Sequence, residues 1–173
     1  MKNIEWCNDA LVLLDQTKLP TQVEYIHCTD WRQVAEAIKM LRVRGAPAIG
    51  VAAGYGLILA ANEANRLEAP FSEQISAFYE WSEELKETRP TAINLAWAVN
   101  RVMAIVKAGQ FDAMNEVVDR ITKEAIAIHK EDVELNTRMA INGATLFEGK
   151  KHLRILTHCN AGALATGGLG TAL

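Results

Sequence analysis

Four short stretches hold side chains whose type and spacing suit chemistry. The first is "RVRGAPAIG", which sets Arg44 directly before Gly45, Ala46 and Pro47. Proline is favoured in the first turn of a helix, where its missing N–H leaves no gap in the ladder. The free N–H groups of such a turn attract anions, and a neighbouring guanidinium adds a two-pronged donor. Together they suit a phosphate. A surface arginine in an interhelical loop is the plainer reading of the same residues. The second stretch, "ETRPTAIN", repeats the layout with Arg89 before Pro90. Two such arginines could converge on one anion.

The third stretch is "THCNAG". It puts Cys159 at the end of an apolar run that reads as a strand. In open α/β sheets ligands bind beyond the carboxyl ends of the strands. A cysteine there, beside a helix N-terminus, has a lowered pKa and can serve as nucleophile or acid. A small buried hydrophobe is the rival reading. His158 would point to the opposite face of the same strand. The fourth stretch, "GALATGGLG", lacks the Lys-Ser/Thr of a P-loop and the spacing of a dinucleotide fingerprint. Its glycines suit close approach of backbone to a ligand or to another strand. Cys7, Cys28, His27, His129 and His152 form no constellation in the sequence and read as structural or surface residues.

The elements that must carry these residues are mostly helical. Half of the 173 residues are hydrophobic, enough for a real core. The net charge of −3, with interleaved signs, gives no electrostatic case for nucleic acid. Three cysteines without metal-type spacing suggest reduced thiols in a cytoplasmic protein and no zinc site. The longest apolar stretch, Ala46 to Asn62, is short and interrupted by Gly50, Gly54 and Gly56. It reads as a buried helix of a protein that does not span a membrane.

Ala10–Leu14 and Val23–Ile26 are apolar runs around a polar, proline-containing stretch, a hairpin pattern. Asp30 and Gln33 make a capping box for a helix that should stop near Gly45. A second helix, apolar nearly all round, runs from Ala46 to Ala61. Its glycines cost roughly 1 kcal/mol each relative to alanine, offset if they let another backbone come close. Ser72 would cap a third helix, "RPTAINLAWAVNRVMAIVKAG" gives a fourth closed by Gly109, and Phe111 to Glu148 gives a long fifth with a candidate break at Gly143. The fold class expected is mainly α with a small N-terminal β element over residues 1–148. After it, residues 149–173 read as the first strand and helix start of an incomplete Rossmann-like α/β domain.

As a set, "LRVRGAPAIGVAAGYGLILAA", "RPTAINLAWAV" and "THCNAGALATGGLGTAL" resemble the methylthioribose-1-phosphate isomerase family. That family shares a superfamily with the regulatory subunits of translation initiation factor 2B. The resemblance spans the whole chain and about the first half of a typical member. It implies a two-domain enzyme of methionine salvage, an intramolecular oxidoreductase converting 5-methylthioribose 1-phosphate to 5-methylthioribulose 1-phosphate. It implies no nucleotide cofactor, no required metal, and a cytoplasmic homodimer. It implies that Arg44, Gly45, Ala46 and Arg89 bind substrate and that Cys159 is catalytic. The family's catalytic aspartate lies further downstream and has no counterpart here, and neither Asp119 nor Asp132 substitutes for it. Leu169 stands where the family usually has an aromatic residue. The chain is therefore expected to be the N-terminal part of an isomerase, inactive alone. A non-enzymatic regulatory protein, or an isomerase of another pentose 1-phosphate, is the alternative.

Overall fold

The computed structural model describes residues 2–158 and 160–170. Three antiparallel strands open the chain: β1 (Ile4–Cys7), β2 (Ala10–Leu14) and β3 (Tyr25–Cys28), in the order β1-β2-β3. The expected hairpin is the β2–β3 pair, with Val12 opposite His27 and Leu13 opposite Ile26, but its second strand is Tyr25–Cys28 rather than Val23–Ile26, and Val23 is exposed before it. The sequence reading missed β1. Its signal is the two-residue turn Asn8-Asp9, both at positive φ (51° and 56°), which suits a tight hairpin. Register then pairs Trp6 with Leu11 and Ile4 with Leu13.

Five helices follow: α1 (Trp31–Lys39), α2 (Ala46–Asn65), α3 (Phe71–Glu87), α4 (Ile93–Ala108) and α5 (Met114–Thr145). The capping box of α1 forms as expected between Asp30 and Gln33. The helix ends well before Gly45, however. Leu41 takes the left-handed conformation at φ 61°, and the Arg42 N–H donates to Ala37 O at 2.9 Å. This is a Schellman closure made without glycine. It releases residues 41–45 as a loop. Pro70, not Ser72, occupies the N-cap position of α3. Pro90 lies in the α3–α4 turn, so α4 is not headed by proline in its first helical turn. The long fifth helix runs through Gly143 without a break.

α2 is the axis of the molecule. It packs against all four other helices and against β1 and β2. From Ala48 to Ala61 every residue is buried. A helix enclosed on all sides must be apolar all round, and α2 is. Its small residues set the packing distances. A Cβ added at Gly50 would lie 3.0 Å from the carbonyl oxygen of Asn94, in the first turn of α4. At Gly54 the nearest atoms, of Ala125, lie at 3.6 Å, an ordinary contact. Close approach to another backbone thus explains Gly50 but not Gly54. Arg101 of α4 pairs with Glu124 at 2.7 Å and Glu131 at 2.5 Å, clamping α4 to α5.

The expectation of a strand at 150–159 does not hold for its described part. Residues 151–158 have no regular structure, and Leu153, Ile155 and Leu156 are exposed, Leu156 to 98%. A strand of a parallel sheet exists only with hydrogen-bonded neighbours and covering helices, and the described residues offer it none. The expected α-helix start also fails. Ala163–Ala165 makes a single 3-10 turn, inside a loop closed by an antiparallel bridge between Gly162 and Gly170. The mainly helical architecture with its small sheet stands; the Rossmann-like continuation does not appear among the described residues.

The glycine contacts give a paired prediction. Gly54→Ala should leave stability unchanged or raise it by up to about 1 kcal/mol, through helix propensity. Gly50→Ala should cost roughly 1–3 kcal/mol, because the Asn94 backbone must move. Equal effects of the two in chemical denaturation would contradict this packing.

Candidate functional site

The stretches that hold Gly45, Asn94 and Ala165 meet at the N-terminal end of α2. Gly45 is the residue before the helix, at φ 98°, where side chains are strained. A Cβ there would lie 2.4 Å from the Ala165 Cα. The glycine thus lets the chain reverse direction and lets the segment 162–170 lie directly on it. Arg44 and Ala46 are exposed on either side, and Pro47 falls in the first turn. The first turn of α4 packs against the same end of α2 through Asn94 and Gly50. Arg89 sits half-buried in the α3–α4 turn, where its carbonyl accepts the Ala92 N–H at 2.9 Å. Among the described residues, ion pairs hold Arg32, Arg42, Arg101 and Arg120; none holds Arg44 or Arg89. Cys159 lies outside the described residues.

The loop before Arg44 is anchored by its neighbour. Arg42 donates to Asp15 Oδ2 at 2.6 Å and, through Nε, to Glu36 Oε2 at 2.9 Å. Burial by itself would raise the Asp15 carboxyl. The Thr17 hydroxyl and N–H, with Arg42, outweigh it and hold the group below its ordinary value. Arg42 is raised in turn, first by its hydrogen bonds to Glu36 and Asp15.

The glycine-rich segment is gripped by polar side chains from the start of the chain and from α5. Asn3 Nδ2 donates to Leu164 O at 2.9 Å and to Thr166 O at 3.2 Å. His129 Nε2 meets Gly167 O at 3.1 Å, and Nδ1 meets the Tyr55 hydroxyl at 2.8 Å. A carbonyl only accepts, so Nε2 carries the proton. In the neutral ring Nδ1 then accepts from Tyr55. Asp132 accepts the Gly167 N–H at 2.7 Å. These bonds explain why no α-helix starts here: the carbonyls and N–H that would begin its ladder are engaged by side chains. A Cβ at Gly167 would sit 2.6 Å from His129 Cδ2, so this glycine permits the grip.

His129 and Asp132 therefore belong to a constellation that sequence reading missed. The spacing i, i+3 on one helix face was the available signal. Trp6 stacks on Tyr55 with ring centroids 5.2 Å apart. An open cavity of about 680 Å³ lies beside this group, and Leu169 forms part of its wall. A second cavity of about 400 Å³ opens between Pro47, Asn94, Trp97 and Asp132. Cys28 is buried in the core, and burial, with Glu36 nearby, pushes its thiol up to about 11, which makes it a poor nucleophile. Among the described residues no helix is long and apolar enough to cross a membrane.

Comparison with known proteins places this geometry in context. The model of the Initiation factor 2 subunit family matches residues 42–172. Methylthioribose-1-phosphate isomerase of Desulforamulus reducens is 48% identical over 174 residues, covering 100% of this chain and 49% of that protein. The enzyme of the same name from Pelotomaculum thermopropionicum is 48% identical and is covered to 47%. The crystal structure of 5-methylthioribose 1-phosphate isomerase from Pyrococcus horikoshii OT3 superposes with a TM-score of 0.87 at 43% identity, over 98% of this chain and 46% of that one. Subunit delta of the translation initiation factor eIF-2B from A. fulgidus superposes with a TM-score of 0.85 at 39% identity, over 98% of this chain and 48% of that one. The chain spans about half the length of the curated relatives it matches.

Two outcomes test the local geometry. Gly45→Ala combines a left-handed backbone with a steric clash and should cost about 2 kcal/mol or more. Limited proteolysis should then cut first within 160–170; unchanged protection would contradict the contact with Ala165. Asp15 is lowered in the folded state, so its stabilisation is present above the unfolded carboxyl pKa and is lost as pH falls through the folded one. Asp15→Asn should therefore flatten the acid limb of the stability–pH curve below about pH 4. An unaltered limb in denaturant titrations would show that Asp15 is not the linked group.

From the match over residues 42–172, the chain belongs to the Initiation factor 2 subunit family.

Proposed function

We propose that this chain is the substrate-phosphate-binding part of an aldose–ketose isomerase acting on 5-methylthioribose 1-phosphate. The observation that carries the reading is the contact of Gly45 with Ala165. It sets Arg44, Gly45 and Ala46 beside the segment that follows Cys159 in sequence. Arg44 and Arg89, neither held in an ion pair among the described residues, would clamp the phosphate together with the first N–H groups of α2. The printed names of the relatives from Desulforamulus reducens and Pyrococcus horikoshii OT3 support the substrate.

The chemistry follows from the substrate. A phosphate on C1 prevents simple loss of a hemiacetal proton. The ring opens only with acid–base help, and hydrogen then moves from C2 to C1. That calls for an anion clamp, a proton donor or acceptor and a site closed to water. Arg44 and Arg89 supply the clamp in this reading, and Cys159 supplies the proton-handling group. No nucleotide or metal is needed.

Residues 149–173 are, in the same reading, the start of a second, Rossmann-like domain. The exposed Ile155 and Leu156 support this, since a strand there would bury both against neighbours. The resemblance to the isomerases supports a cytoplasmic homodimer for the longer protein. The similarity to the A. fulgidus initiation-factor subunit favours a second reading, a regulatory protein without catalysis.

Binding decides between them. The 173-residue chain should bind 5-methylthioribose 1-phosphate in calorimetry without converting it. Arg44→Ala and Arg89→Ala should each weaken binding about tenfold or more, the loss of one charge-assisted pair. Absence of binding, or binding indifferent to both substitutions, would favour the regulatory reading. Turnover by the chain alone would refute its role as a binding half.

A further inference from the structure

Gln16 lies two residues past the end of β2 and is 3% exposed. Every polar atom of its side chain is engaged. Nε2 donates to Leu164 O at 2.7 Å and to Asn3 Oδ1 at 3.0 Å. Oε1 accepts from Arg44 Nε at 3.4 Å. Its backbone N–H donates to Arg42 O at 2.9 Å. One residue therefore touches the loop that carries Arg44 and the glycine-rich segment at the same time.

The arrangement uses what is particular to a primary amide. The planar group offers two donors and an acceptor in fixed directions. A glutamate would keep the acceptor for Arg44 but lose both donors, and its charge would neutralise the arginine. A methionine would keep the shape and lose all three bonds. Burying an amide is costly unless its bonds are met, and here each bond has a different structural address. Asn3, itself 6% exposed, repeats the grip on Leu164 and adds Thr166. Leu164 O accepts from both amides.

We propose that Gln16 is a positioning residue that couples Arg44 to the glycine-rich segment 162–168, so that the arginine and the segment keep one relative placement. The proposal rests on the reading of Arg44 as an anion-binding residue. Arg44 is exposed, and an unsupported arginine would spread over many rotamers. Its contact with a buried amide narrows that spread on the side facing the segment.

The test uses the 173-residue chain, hydrogen exchange read residue by residue, and titration with inorganic phosphate. Gln16→Met should speed exchange in 162–168 by about fivefold or more, the loss of one to two net hydrogen bonds. Exchange in α2 and α5 should be unchanged. Phosphate affinity should fall by a similar factor. Uniformly faster exchange across α2 and α5 would overturn the coupling, as would, where Arg44→Ala weakens phosphate binding, an unchanged phosphate affinity of Gln16→Met beside a loosened segment. If Gln16→Met does not fold, Gln16→Glu carries the same readouts and should loosen the segment while weakening phosphate binding. The anion reading fails separately if Arg44→Ala leaves phosphate affinity intact. In that event the coupling stands only if Arg44→Ala also loosens 162–168, and falls if it does not.

Discussion

The structure depends on enclosing α2. Fourteen consecutive residues, Ala48 to Ala61, are buried, with helices, strands and a glycine-rich loop arranged around them. Such a helix gains nothing from facing water, so the other elements are under one demand: to cover it. The demand also fixes distances. Where Gly50 faces the Asn94 backbone, α4 can come close enough for its first turn to stand beside the first turn of α2. Tight packing of the core at this point brings the start of α4 against the start of α2.

The N-terminal end of α2 is where this axis meets the surface. A helix end leaves N–H groups unpaired, and here the residue before it is a glycine with positive φ. The same glycine lacks the Cβ that would hold the 162–170 segment away. One missing methyl group therefore serves both the backbone turn and the tertiary contact. The segment is then fixed by side chains far apart in sequence: Asn3 and Gln16 on one side, His129 and Asp132 on the other. Each bond goes to a backbone group, so the segment's path is set from outside.

Much of this frame was legible in the sequence. The capping box of Asp30 and Gln33, the uniformly apolar α2, the closing role of Gly109 and the β2–β3 pair all rest on local patterns with a direct physical meaning. Local patterns misled where a tertiary partner had the last word. Leu41 closes α1 in a conformation usually left to glycine, because the loop after it is tied down by Arg42 to Asp15 and Glu36. The apolar run near Ile155 reads as a strand but has no neighbouring strand among the described residues to pair with. The run around Ala163 reads as a helix start, yet side chains take its hydrogen-bonding groups first.

The sequence by itself determined the helical class, the identity of α2 as the core helix, and Arg44, Gly45, Ala46, Arg89 and Cys159 as the residues worth testing. The class and the core helix follow from periodicity and caps, and the residues worth testing from short motifs and the family resemblance those motifs carry. Only the tertiary structure decided that Gly45 lies against Ala165, that His129 and Asp132 hold Gly167, and that Gln16 bridges Arg44 and Leu164. Those contacts join residues 28 to 148 positions apart. No local pattern encodes them, because they exist only once the chain has closed around α2.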